Sequence, residues 1–190
     1  MKTIRRLIVP VTERWNEGEQ DWSFVKDPSH DIRIWEKTNG MRLPDGYRRF
    51  MLAFNGGCVY PRLFFYAVPL EYYPSTEPVT FVDLFYSWSD VRKYSRGDVY
   101  GRGNPPDMLF IGSTPGGLQI LMSLRAEEFG QIFCWVHNTN IWGTDGNDHI
   151  WYQASSFENF LKSLYDEPDR SDYDNWRIPI YDKLAKPLAF

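Results

Sequence analysis

The stretch Leu43-Pro44-Asp45-Gly46-Tyr47-Arg48-Arg49-Phe50-Met51-Leu52-Ala53-Phe54-Asn55-Gly56-Gly57 constrains the fold more than any other part of this chain. Tyr47, Phe50, Met51 and Phe54 recur at i, i+3, i+4 and i+7, which places four large apolar groups on one face of a helix. Pro44 suits the first helical position, where an N–H would lack a partner anyway, and Asp45 meets the positive end of the helix dipole. Asn55-Gly56-Gly57 stops the helix, because glycine and asparagine accept the left-handed conformation of a C-terminal cap. A short amphipathic helix must therefore lie on an apolar surface supplied by the rest of the chain.

That surface is predicted downstream, where the periodicity shortens. Leu63 to Val68, Phe81 to Tyr86, Met108 to Ile111, Leu118 to Leu124 and Gln131 to Val136 are aliphatic and aromatic runs separated by Pro, Gly and Asn, and they read as strands. Ile4 to Val11 and His149 to Gln153 add candidates at either end of the series. Residues 29–38 read as a helix, with Ile32 and Trp35 on one side, Ser29 as N-cap and Gly40 beyond the end. Trp88 to Tyr94 reads as a short helix, and Tyr100 to Pro106 as a loop. Ser155 and Glu158 have capping-box spacing, and Phe157, Phe160, Leu161 and Leu164 repeat the helical stripe. Short connections without regular crossover helices point to an α+β fold, a mainly antiparallel sheet flanked by helices.

The Leu-Pro-x-x-Tyr-x-x-Phe-(x)4-Asn-Gly-Gly pattern is followed in order by Met108 to Gly112, the Gly116-Gly117 turn with Leu118 to Leu124, Gly130-Gln131-Ile132-Phe133-Cys134-Trp135 and the helix from Ser155 to Leu161. This series resembles the SUKH superfamily, which includes the yeast cell-wall-assembly regulator and many bacterial immunity proteins. The resemblance implies a SUKH-like domain over residues 27–168, with an extension at 1–26 packing on it and a second at 169–190. Many relatives carry acidic residues after the paired glycines and at the end of the next strand, where this chain has Leu118-Gln119 and Ser123.

A chain of 190 residues fits one domain and buries about 70% of its unfolded surface without staples. Cys58 and Cys134 are too few and too far apart for a disulfide framework or a metal knuckle, and read as two buried thiols in a reducing compartment. No apolar run is long enough to span a bilayer, and Leu7-Ile8-Val9 is too short for a signal-peptide core. The expectation is a cytoplasmic protein. Lys and Arg number 21 against 25 Asp and Glu, a formal charge of −4, which argues against nucleic acid as a partner and suits a basic protein. Arg48-Arg49 and Arg92-Lys93 read as solvated faces. In the polar first segment, Trp15 and Trp22 call for packing against the domain, as do Trp176, Ile178, Ile180, Leu184, Leu188 and Phe190 after the acidic run Asp169 to Asp174.

Catalytic and cofactor patterns are missing from the sequence. His30, His137 and His149 form no metal-binding pair, and Asp145-Gly146-Asn147-Asp148 lacks the alternating donors and closing glutamate of a calcium loop. Cys134 and His137 lie three apart on a strand and so face opposite ways. Gly101-Arg102-Gly103-Asn104 has no phosphate-loop context. No enzyme, metal or cofactor is expected. The connection from His137 to His149 carries Trp142 among small polar residues; Trp142, with Asp145 and Asp148, is the candidate partner-binding group. The alternative is a Trp folded under its own loop. The resemblance implies stoichiometric binding of a protein, namely a toxin, often a nuclease, neutralised by its immunity protein. The other readings are a regulatory interaction module, or a hydrolase or small-ligand-binding protein using a groove over the sheet.

Overall fold

The chain is described by a computed structural model for residues 6–10, 27–66, 78–96, 104–115, 117–136, 150–165 and 186–188. Helix α1, Ser29–Asn39, begins after Pro28. Asp27 accepts from both the backbone N–H and the hydroxyl of Ser29, at 2.9 and 3.0 Å. Ser29 is thus the first helical residue, held by an Asx turn, and not the N-cap that its side chain suggested. Gly40 ends α1 in the left-handed conformation with φ 64°.

Helix α2, Asp45–Phe54, buries Tyr47, Phe50 and Met51 as the stripe predicts. Pro44 is its N-cap, with ψ 132°, one position earlier than expected. Its carbonyl accepts the first helical bond, from the Arg48 N–H at 2.8 Å. Asn55 closes the helix at φ 51°. Its buried side-chain oxygen accepts from the Trp88 N–H at 2.9 Å. Trp88 opens helix α3, Trp88–Tyr94, so one asparagine ends a helix with its backbone and satisfies an orphan donor of the next with its side chain. Gly56 follows at φ 87°, where a Cβ would lie 2.5 Å from the Tyr86 carbonyl oxygen. The paired glycines therefore serve close backbone approach as well as helix termination.

Gly57 opens strand β2, Gly57–Tyr60, which was absent from the sequence reading because its first residue looked like part of the cap. The other strands are β1 Leu7–Pro10, β3 Leu63–Phe65, β4 Val79–Phe81, β5 Leu84–Phe85, β6 Met108–Ser113, β7 Leu118–Ser123, β8 Ile132–Val136, β9 Ile150–Ala154 and β10 Lys186–Pro187. Eight form one sheet in the order β10-β1-β2-β5-β6-β7-β8-β9, while β3 and β4 pair separately. Every pairing is antiparallel. The run Phe81 to Tyr86 is split because the chain changes sheets within it. The Val82 N–H still donates to the Arg62 carbonyl beside β3, whereas that of Asp83 donates to Ser113 at the end of β6.

Helix α4, Phe157–Ser163, is capped by Ser156, whose hydroxyl accepts from the Asn159 N–H at 3.1 Å. The expected box of Ser155 and Glu158 does not form. Ser155 instead accepts from the Asn159 side-chain amide at 2.7 Å, and Glu158 turns to Arg49 of α2 at 3.2 Å. A bond between two helices replaces the second half of the local box.

Register places Phe85, Gly112, Ile120, Cys134 and Trp151 in one row across the sheet. Helices α2 and α4 cover that face. Phe50, Phe85 and Phe157 meet with ring centroids 4.9 to 5.5 Å apart. Phe160 of α4 also reaches Phe64 of β3, at 5.2 Å. The opposite face carries Tyr86, Gln119 and Trp135, and it too is buried. There the Tyr86 hydroxyl donates to Gln119 at 2.8 Å, and Phe110 meets Trp135 edge-on at 5.5 Å. Burial on both faces explains why β7 reads as a continuous apolar run with little alternation.

Candidate functional site

Trp142, Asp145 and Asp148 lie outside the described residues, as do His137 and His149. Cys134 is buried, and its thiol donates to Gln153 at 3.6 Å. Burial pushes that thiol's pKa upward, away from the thiolate that nucleophilic chemistry needs. Cys58, expected to be buried, is half-buried on β2, and it donates to the Asp83 carbonyl at 3.3 Å. Among the described residues no three His, Cys, Asp or Glu side chains converge as a metal site would require. No helix among them is long and apolar enough to cross a membrane.

Gln119 and Ser123, which stand where the resemblance implies acidic residues, are built into the interior. Gln119 is held by Tyr86 and donates to the Gly117 carbonyl at 3.3 Å. Ser123 is fully buried; its hydroxyl donates to Glu128 at 3.3 Å and accepts from the Arg125 N–H at 3.2 Å. Neither side chain presents a charge to a ligand.

Among the described residues, one accessible concavity is a groove of about 580 Å³ between α1, the C-terminal end of α3 and the segment Asn104 to Leu109. Helix α1 contributes Asp31, Ile34, Trp35, Thr38 and Asn39, and the floor includes Met108, Leu109 and Leu124. Trp35 is fixed edge-on against Trp88, with centroids 5.6 Å apart, and Ile34 is half-exposed beside it. Arg92 of α3 pairs with Asp31 of α1 at 3.6 Å, bridging the two walls. It is more than the solvated charge its sequence neighbourhood suggested. The Asn104 amide donates to the Tyr94 carbonyl at 3.0 Å and thereby closes the last turn of α3. Asp107, at φ 57°, passes its carbonyl to the Leu124 N–H at 2.8 Å.

The groove pairs an apolar floor with a rim of both charge signs, and among the described residues no Cys or His lines it. Sequence reasoning did not find it, because its walls come from segments that only the tertiary fold brings together. The sole signals were Trp35 on the apolar side of α1 and the prolines at 105 and 106, which mark a loop.

These elements define an α+β domain built on an eight-stranded antiparallel sheet with a separate two-stranded ribbon. The model of the SMI1 / KNR4 family (SUKH-1) matches residues 29–163, and the chain belongs to this family. No curated protein matches the chain.

Proposed function

We propose that this protein is a cytoplasmic immunity protein, which neutralises a toxin by stoichiometric binding and performs no catalysis. The observation that carries the reading is membership of the SMI1 / KNR4 family over residues 29–163, a family whose members are often immunity proteins. The formal charge of −4 supports a basic partner, since an acidic surface accelerates association with a cationic one. Trp142 is the proposed anchor, with Asp145 and Asp148 as the carboxylates around it. A desolvated indole supplies binding energy, and flanking charges steer the approach.

The test starts from affinity isolation of the chain from its native cells, followed by reconstitution of any partner at equimolar ratio. The reading expects a partner that arrests growth when expressed alone and is tolerated when this chain is co-expressed. A partner that binds tightly yet is harmless by itself would replace the immunity reading with that of a regulatory module.

A further inference from the structure

Strands β1 and β10 lie outside the span that the family model matches, yet both belong to the main sheet. β1 covers every residue of β2, pairing Leu7 with Tyr60, Ile8 with Val59, Val9 with Cys58 and Pro10 with Gly57. Just ahead of it, Arg6 reaches across to the end of α4. One guanidinium nitrogen donates to the Leu161 carbonyl and the other to that of Lys162 at 2.7 Å, and both come within 3.4 Å of the Leu164 carbonyl. These are the carbonyls that a helix C-terminus leaves unpaired, at the negative end of its dipole. Ile8 is fully buried. The Arg6 backbone carbonyl accepts from the Leu188 N–H at 3.0 Å, which brings β10 into the same assembly.

We propose that the β2 edge, together with the C-terminal carbonyls of α4, is a strand-binding site for an extended segment with an arginine two residues before a buried aliphatic side chain, filled by Arg6–Pro10 of the same chain and open to exchange with a second copy. Each recognition element is used in the occupied site: a ladder for the backbone, a carbonyl cluster for the cation and an apolar pocket for the aliphatic side chain. This is strand addition with its specificity written in alternate residues. The occupant is short, and part of its guanidinium clamp is exposed to water, so local release requires few buried contacts to break. Residues 11–26 separate this strand from Asp27, and sixteen residues can span at most about 50 Å. A tethered strand acts at roughly millimolar effective concentration, so the closed monomer prevails in dilute solution and exchange competes only near that protein concentration. Exchanged and closed forms share the same contacts. Weakening the clamp must therefore speed exchange while leaving the final ratio unchanged.

The test uses the full chain with Val9→Cys, which puts a second cysteine at the position paired with Cys58 in the backbone register. Oxidation in dilute solution is expected to give an intrachain 9–58 disulfide. Incubation of the reduced protein at about millimolar concentration with gentle warming, then dilution and rapid oxidation, is expected to give a dimer linked from 9 of one copy to 58 of the other, identified by peptide mapping. Adding Arg6→Gln should raise the rate of dimer formation about tenfold without changing its plateau. An intrachain bond under every condition, a dimer linked only through two Cys58 thiols, or an unchanged rate with Arg6→Gln would each overturn the proposal. Should Val9→Cys fail to fold, the unsubstituted chain taken through the same incubation decides by light scattering: a dimer that survives dilution supports exchange, and monomer throughout refutes it.

Discussion

Asn55 offers the sharpest test of how the signature stretch works, because two of its functions can be separated by substitution. Its backbone is left-handed at φ 51°, and its side chain accepts the buried Trp88 N–H at 2.9 Å. Asn55→Gly keeps the conformation and deletes the acceptor, leaving a buried donor unsatisfied at a cost of about 1 to 3 kcal/mol. Asn55→Ala adds the strain of a left-handed L-residue, about 1 kcal/mol more, for a total of roughly 2 to 4 kcal/mol. Asn55→Asp retains an acceptor, and the N-terminus of α3 favours its charge, so it should be the mildest of the three despite the burial of the site. Urea unfolding reads all of them. With a slope of about 1 to 3 kcal/mol per molar, the alanine variant should lose on the order of 1 to 2 M in midpoint. Equal midpoints for Gly and Ala would show that the left-handed backbone contributes nothing. A loss below about 0.5 kcal/mol for Ala, the level of an ordinary surface change, would refute the reasoning altogether.

Phe50 touches Tyr47, Phe54, Phe85 and Phe157 and is 4% exposed, so Phe50→Ala should cost about 3 to 5 kcal/mol in the same assay. Burial raises the pKa of the Cys134 thiol in the folded protein above its unfolded value. Above about pH 8.5 the unfolded chain releases a proton that the native one keeps, so stability should fall with rising pH by up to about 1.4 kcal/mol per unit. Cys134→Ala should flatten that slope in pH-dependent denaturation; an unchanged slope would deny the shift. In a reconstituted complex, Trp142→Ala should weaken binding by at least about 2 kcal/mol, and neutralising Asp145 and Asp148 together should mainly slow association, as calorimetry and stopped-flow mixing would read. Unchanged affinity in a folded Trp142 variant would move the contact elsewhere.

Local pattern was a good guide where burial alone decides the structure. The stripe of α2 keeps its helical period against the sheet, and the continuous apolar runs of β6, β7 and β8 become strands buried on both faces. It failed where a side chain finds a competing partner. Glu158 leaves its own helix end for Arg49, distant in sequence, whereas Ser29 yields its capping role to an Asx turn from Asp27, two residues away. The change of sheet between Val82 and Asp83 is set by the Arg62 and Ser113 carbonyls, neither of which a run of apolar residues announces. β10, two residues long, is a strand only because β1 lies beside it. The groove shows the same logic at larger scale: its floor and rim are ordinary surface and core residues until Arg92 and Asp31 hold α3 against α1. Of the residues proposed to bind a partner, Trp142, Asp145 and Asp148 rest on composition and on the resemblance, and they lie outside the described residues.

The central claim is that this chain neutralises a toxin by occupying it. The most direct measurement titrates the purified toxin with increasing amounts of this protein and follows residual toxin activity. Stoichiometric immunity predicts a linear fall that reaches its floor at one chain per toxin and does not deepen with time. Complete loss of activity at a small fraction of that ratio, progressing with incubation, would reveal turnover and contradict the account, as would full toxin activity in the presence of excess protein.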